Sequence, residues 1–504
     1  MAFKRNVLAS YASQIYSTLI SLAIIPLYIK YMGKEAYGLV GFYAMLQTWL
    51  QILDMGLSPT ISRETARYRG GALSAAGLLG LFRAFSIVFL VVAVCSTALV
   101  VFASSFISIH WLTVEALPIS EVSNSIKLMG VTIGLRWLSS LYRGALTGFE
   151  MQTRLAQIDI AIATARNVLV FLVFWNIGTT PTDFFSYQAL VALAETLLLG
   201  NQTRKQLPKL EDSTTKGHIT ASLRNVMGFA LSIASTNAAW VLVTQSDKLI
   251  LSKLLSLSDF AQFTLAVVLA NGITMITSPV GGALIPRLSR LQARGEVTEL
   301  ISTYRVSTQF VTGIAAAATI FLACFPKEIV LLWTHSESTA DFVSPILRLY
   351  AIGSGFLALT AFPYYLQFAK GRLRLHVIGN LVFIAVFLPL VALLSFEFGA
   401  IGAGAAWALS NIAYFLLWTP LIHRELAPSL HVSWLARDIA PPVLVPLLVA
   451  LVMQQYLRFP ESRLEALAVL CAAGLLLVCS SLAATKLVRQ KIFALRGGLR
   501  KTTP

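Results

Sequence analysis

Runs of about 20 apolar residues follow one another from end to end of this chain, and no other feature constrains its fold as much, since that is the helix length that crosses a bilayer's hydrocarbon core. Inside that core a backbone finds no water and must satisfy its own hydrogen bonds, so runs of this length read as helices. Composition agrees. Of 504 residues, 57% are hydrophobic and 12% charged, with a mean hydropathy of +0.74, whereas ordinary globular chains carry about 25% charged residues. The chain reads as an all-α polytopic membrane protein. Its start, MAFKRNVLAS, leads straight into the first run with no cleavable signal evident.

About fourteen spans are expected, with ends good to a few residues. They cover 7–29, 36–57, 77–101, 127–147, 157–177, 184–203, 228–251, 259–284, 309–331, 345–369, 376–395, 400–422, 438–457 and 466–485. Basic residues test that count. If the N-terminus is cytoplasmic, even loops and both termini hold about 26 Lys and Arg, and the opposite loops about seven, against about eleven acids. One missed span would invert every later loop, so the alternation supports both the number and the orientation, with both ends cytoplasmic. The net charge of +16 then reports topology and not a nucleic-acid partner. Cys95, Cys324, Cys471 and Cys479 all fall within apolar runs, show no metal-type spacing, and read as small core side chains.

The largest loop, 204–225, carries KQLPKLEDSTTKGH, a composition that suits an exposed cytoplasmic linker. It separates two six-helix bundles, 1–203 and 226–422, and leaves 423–504 as helices thirteen and fourteen with a basic cytoplasmic tail. A faint internal repeat joins the halves. Sliding 7–71 onto 231–295 aligns Ile61 with Ile285, Arg63 with Arg287 and Gly71 with Gly295. Many transporters are built from such repeats, with the substrate site between them. Pro26, Pro279 with Gly281 and Gly282, and Pro389 mark places where helices are expected to bend.

Charges inside the spans are the candidate site. A charged side chain mid-helix costs about 2.5–3.5 kcal/mol on insertion scales, so such residues face protein or water and mark function. Arg136 and Arg143 lie seven residues apart, close to two turns, and project from one face. Arg166, Glu195, Asp247 and Lys248 complete the set. Arg166 and Glu195 are expected to pair. The bland reading is that every one of these charges is paired and holds helices together. Four cations against two acids argue against it, and the surplus implies a wet cavity that receives an anionic group, for which arginine has the fork geometry. Asp247 and Glu195 are candidates to carry a coupling proton, since desolvation raises a carboxylate's pKa. Trp137 and Tyr142 flank the arginines and read as packing residues before sugar platforms. No metal cluster, phosphate loop, nucleophile motif or dinucleotide fingerprint is present in the sequence.

Four stretches carry a family resemblance in order and spacing: LDMGLSPTISRETAR, LYRGALTGFEMQTRLAQID, SDKLILSKLLSLSDFAQFTLA and GAIGAGAAWALSNIAYF. Together with the span count, over essentially the whole chain, they resemble the polysaccharide-transporter branch of the multidrug, oligosaccharidyl-lipid and polysaccharide exporter superfamily. The resemblance implies two six-helix bundles forming a V in the bacterial inner membrane. It also implies alternating access and an undecaprenyl-diphosphate-linked oligosaccharide, of O-antigen, capsule or exopolysaccharide type, as substrate. It implies a cationic lumen, for which Arg136, Arg143, Arg166 and Lys248 are the candidates, and a cytoplasmic gate at Asp54, Arg63 and Glu64. The expected partners are that lipid, the surrounding membrane, a polysaccharide polymerase and a chain-length regulator, with no cofactor beyond a proton or ion gradient. Within transport the alternatives are a lipid II-type flippase and a drug exporter. A membrane glycosyltransferase or ligase acting on the same lipid carrier is the enzymatic alternative, and the short outward loops weigh against it.

Overall fold

The computed structural model describes residues 2–54, 56–208 and 219–486. Part of the expected linker, 209–218, and the tail beyond Lys486 lie outside them. Among the described residues the chain is helical almost throughout, and its contacts divide it into two units, 1–261 and 262–504. Every one of the expected spans falls on helix. Among the described residues, nine helical stretches are long and apolar enough to cross a membrane by length and composition alone.

Unit 1 begins with α1 (Ala2–Met32), α2 (Lys34–Leu50) and α3 (Leu57–Arg69), followed by α4 (Ala75–Phe106) and α5 (Ile119–Gly148). The fifth expected span is built from α6 (Gln152–Thr164), a π-helical turn (Ala165–Leu169) and α7 (Val170–Asn176). α8 (Pro181–Gln206) and α9 (Ile219–Leu254) complete the unit, and α10 (Leu257–Ala293) begins at its end.

α3 corrects the expectation of a basic loop after the second span. Leu57, Thr60, Ile61, Glu64 and Thr65 are buried, at helical spacing, so one face of LSPTISRETARYR packs and the other keeps its arginines outward. The helix lies against α5 at Gly144 and Gly148. A Cβ on Gly148 would sit 2.3 Å from the Ser62 carbonyl oxygen, and one on Gly144 would sit 2.7 Å from that of Ser58. Glycines four apart give the backbones that closeness. α3 ends on Gly71, whose φ of 75° is left-handed, with Gly71 N–H donating to Tyr68 O and Ala72 N–H to Arg67 O. Gly295, the residue paired with it by the internal repeat, ends α10 with φ 72° and the matching bonds, Gly295 N–H to Gln292 O and Glu296 N–H to Leu291 O. The same helix cap therefore stands at both ends of the repeat alignment.

Unit 2 contains the remainder of α10, α11 (Val297–Cys324), α12 (Pro326–Thr334), α13 (Glu337–Ala369), α14 (Arg374–Ala413), α15 (Thr419–Leu426), α16 (Leu430–Trp434), α17 (Ala440–Tyr456) and α18 (Arg463–Ala483). One of its core clusters gathers leucines of α10 with Tyr304, Phe362, Phe415 and Trp434. Helix continues through Pro26, Pro279 and Pro389. The break in α14 is at Gly399 instead (φ 56°, ψ −133°), between expected spans eleven and twelve.

The cysteines correct a second expectation. Cys95, Cys471 and Cys479 are exposed, and only Cys324 is partly buried. In a lipid-facing helix the outer surface is as apolar as the inner one, so an apolar neighbourhood in sequence does not locate the core.

Candidate functional site

Four charged residues of the spans, Arg143, Asp159, Arg166 and Glu195, are brought together in unit 1, on three neighbouring helical segments. Arg143, on α5, donates through Nη1 to Asp159 Oδ1 at 2.5 Å and through Nη2 to Glu195 Oε1 at 2.8 Å. Arg166 Nη2 reaches the other oxygen of Glu195 at 3.4 Å, the pairing expected from the sequence. Glu195 on α8 is buried and bridges both guanidiniums.

Local backbone chemistry sets these positions. Arg166 lies in the π-helical turn between α6 and α7. Such a turn carries one residue more than a regular one and shifts the carbonyls out of the ladder. Here the Ala165 carbonyl accepts from the Tyr187 hydroxyl at 2.9 Å, and the Arg166 carbonyl from Gln188 Nε2 at 3.2 Å. The α5–α8 contact that aligns Arg143 with Glu195 is bonded by Ser139 and Thr196, whose hydroxyl oxygens are 2.8 Å apart.

The cluster opens on a cavity of about 550 Å³. Arg143, Asp159, Arg166 and Glu195 line it, and α1 contributes Ser10, Ser13, Gln14, Ser17 and Ser21. An apolar helix unit thus borders a space edged by hydroxyls, three carboxamides (Gln14, Gln152 and Asn167) and four charges. Its volume lies within the range of small-molecule sites, about 300–1,000 Å³.

The other sequence candidates are placed differently. Arg136 is on α5 as well, but its Nη1 donates to Gln47 Oε1 at 2.8 Å and its guanidinium lies 5.6 Å from the centre of the Tyr43 ring. No carboxylate pairs with it among the described residues, its Nε is buried without a partner, and it is not part of the cavity lining. Lys248 on α9 lies 3.6 Å from Asp247 and donates to the Thr244 carbonyl at 2.6 Å, also away from this cavity. Asp54 accepts from the Ser58 hydroxyl at 2.7 Å and from its N–H at 3.3 Å, holding the first turn of α3. Glu64 is buried and paired with Arg67 at 2.9 Å, while Arg63 is exposed. Trp137 is packed 4.5 Å, centre to centre, from Phe89, in line with its packing role.

Sequence reasoning missed Asp159. It stands seven residues before Arg166, the same two-turn spacing that linked Arg136 with Arg143, but it lies near the start of its span and was not counted as intramembrane. With it the surplus shrinks to four cations (Arg136, Arg143, Arg166, Lys248) against three acids (Asp159, Glu195, Asp247), and the cavity itself holds two of each. Arg143, Arg166 and Lys248 each have a carboxylate partner, so the expected cationic surplus comes down, among these residues, to Arg136. Also missed was a second buried cluster, in unit 2. Arg305 on α11 pairs with Asp438 at 2.6 Å, and Gln309 Nε2 donates to the same carboxylate at 2.6 Å. Next to it Tyr304 OH and His423 Nε2 are 2.8 Å apart. A signal existed in the single acid of the run LARDIAPPV.

The sequence profile of the family described as "Polysaccharide biosynthesis protein" matches residues 3–292. A "Putative O-antigen transporter" of Shigella flexneri is 22% identical over 420 residues, spanning 80% of this chain and 93% of that protein. Among solved structures, the lipid II flippase MurJ in an inward closed conformation matches with a TM-score of 0.70 at 13% identity, over 96% of this chain and 100% of that one. An inward-facing multidrug-resistance transporter of the MATE family, in the MOP superfamily, matches with a TM-score of 0.62 at 16% identity, over 82% and 96%. The fold is therefore that of these membrane transporters, and the relatives are transporters and a flippase, not enzymes.

Proposed function

The chain belongs to the polysaccharide biosynthesis protein family, and from that premise we propose that this multi-pass membrane protein is a flippase for undecaprenyl-diphosphate-linked oligosaccharide repeat units. It moves them from the cytoplasmic to the periplasmic leaflet by alternating access. The observation that carries this reading is the polar cavity of unit 1: two arginines and two carboxylates facing hydroxyls within apolar helices. Charges there are costly to insert and need water or ligand to justify them. A saccharide headgroup is too polar to enter hydrocarbon unaided, whereas its lipid tail is at home there. The cavity gives the headgroup polar contacts while the tail stays in the bilayer.

Arg136, with a buried Nε and no carboxylate partner among the described residues, is the cation best placed in electrostatic terms to meet the diphosphate. Asp54, Arg63 and Glu64 act at a cytoplasmic gate through α3, and Glu195 or Asp247 exchanges a coupling proton. The protein works in the bacterial inner membrane with both termini cytoplasmic, beside a polymerase and a chain-length regulator. A reporter fused after Gln206 and another after Lys486 both read cytoplasmic on this account; a periplasmic signal from either would reverse the topology. The direct test is flipping itself. Purified protein in liposomes moves a lipid-linked oligosaccharide, scored by its accessibility to an external lectin, and Arg143→Ala does not. Transport at the protein-free rate by the unaltered chain would sink the proposal.

A further inference from the structure

The cavity of unit 1 is balanced in charge, and that bears on which part of the substrate it holds. Arg143 and Arg166 face Asp159 and Glu195, with Arg143 bonded to both acids. A diphosphate entering here would have to take Arg143 from its partners and would leave two carboxylates close to a polyanion in a poorly screened space, where like charges repel strongly. A neutral sugar meets no such penalty. Its hydroxyls donate to carboxylates, accept from guanidiniums and do both with serine and glutamine. The α1 side of the cavity offers such groups: the side chains of Gln14 and Ser17 line the cavity and have no hydrogen-bond partner among the described residues.

We propose that this cavity is a subsite for an uncharged sugar of the lipid-linked unit, and that Asp159 and Glu195 select against acidic sugars. This rests on the flippase reading and deepens it: the saccharide is read here and the diphosphate is bound elsewhere.

The test uses the full chain in nanodiscs and three lipids: undecaprenyl diphosphate without sugar, the same lipid bearing a neutral oligosaccharide, and the same lipid bearing one with a uronic acid. Binding is read by native mass spectrometry with the lipids in pairwise competition. The neutral glycolipid is expected to bind about tenfold tighter than the acidic one, a modest difference of the kind one lost charge repulsion produces. Asp159→Asn brings the two together, and Ser17→Ala weakens the neutral glycolipid relative to the sugarless lipid. Both substitutions are near-isosteric, and a monodisperse elution profile checks the fold of each. Equal binding of all three lipids, or an Asp159→Asn protein that discriminates as before, overturns the subsite while leaving the flippase reading in place. Failure of every lipid to bind the unaltered chain overturns both.

Discussion

Each unit of this protein buries an ion-pair cluster, and the two are built to different ends. In unit 2, Asp438 is 0% exposed and takes Arg305 and Gln309 on its two oxygens, with the indole of Trp434 and the Tyr304–His423 pair packed alongside. In unit 1, Glu195 is nearly as buried, but besides holding Arg166 it shares Arg143 with an Asp159 side chain that is 30% exposed and faces a cavity. A closed pair in which both carboxylate oxygens are held by donors rigidifies its surroundings. A shared, half-open cluster can trade one partner for a ligand at smaller cost. Burial of charge alone does not mark function; a cavity beside it, and more than one way to satisfy it, does.

The largest effect expected from this contrast is on folding in unit 2. Asp438→Ala strands Arg305, and breaking a buried pair in this way costs about 3–5 kcal/mol. The detergent-solubilised protein should melt well below the unaltered chain; an unchanged melting curve would remove the structural role of that pair. Arg143→Ala should do the reverse. The cavity admits water to the freed carboxylates, so protein level and melting change little, while surface polysaccharide in a complemented deletion strain falls by about tenfold to a hundredfold, equivalent to about 1.4–2.8 kcal/mol. Full polysaccharide from that variant would erase the distinction between the units.

A smaller effect belongs to the scaffold that holds Arg143. Gly148→Ala drives a methyl into the Ser62 carbonyl, and such overpacking costs about 1–3 kcal/mol. It should loosen α3 from α5, read as faster proteolysis near Arg67 and Arg69. Unaltered cleavage would mean that α3 tolerates the shift. The smallest effect is expected at Asp247. Its contact with Lys248 is long, 3.6 Å, and Lys248 also has the Thr244 carbonyl. Asp247→Asn keeps the shape of the side chain and the oxygen that accepts from the Lys248 N–H at 2.7 Å, so melting should change by no more than about 1.5 kcal/mol, the scale of one ordinary hydrogen bond. If it instead abolishes the dependence of flipping on a pH gradient, the coupling role assigned to Asp247 stands.

Much of the site was legible beforehand, and the part that was not has a definite cause. Arg143, Arg166 and Glu195 were found because an apolar run makes any charge conspicuous. Asp159 was passed over because span ends are the least certain part of a hydropathy reading. Arg136 and Arg143, two turns apart on one helix, were read as one site; in the structure one meets α2 and the other meets α6 and α8, since neighbouring helices divide a face between them.

The sequence by itself determined the class of protein and which stretches are helical, because the length of an apolar run is a local property and the bilayer reads it locally. Tertiary structure alone decided that α3 is a helix seated on Gly144 and Gly148, that three of the four cysteines are exposed, and that two arginines meet two acids at a cavity. In lipid the inner and outer faces of a helix are equally apolar, so the pattern that reveals a core in water is missing. Which charge meets which is then settled only where the helices touch.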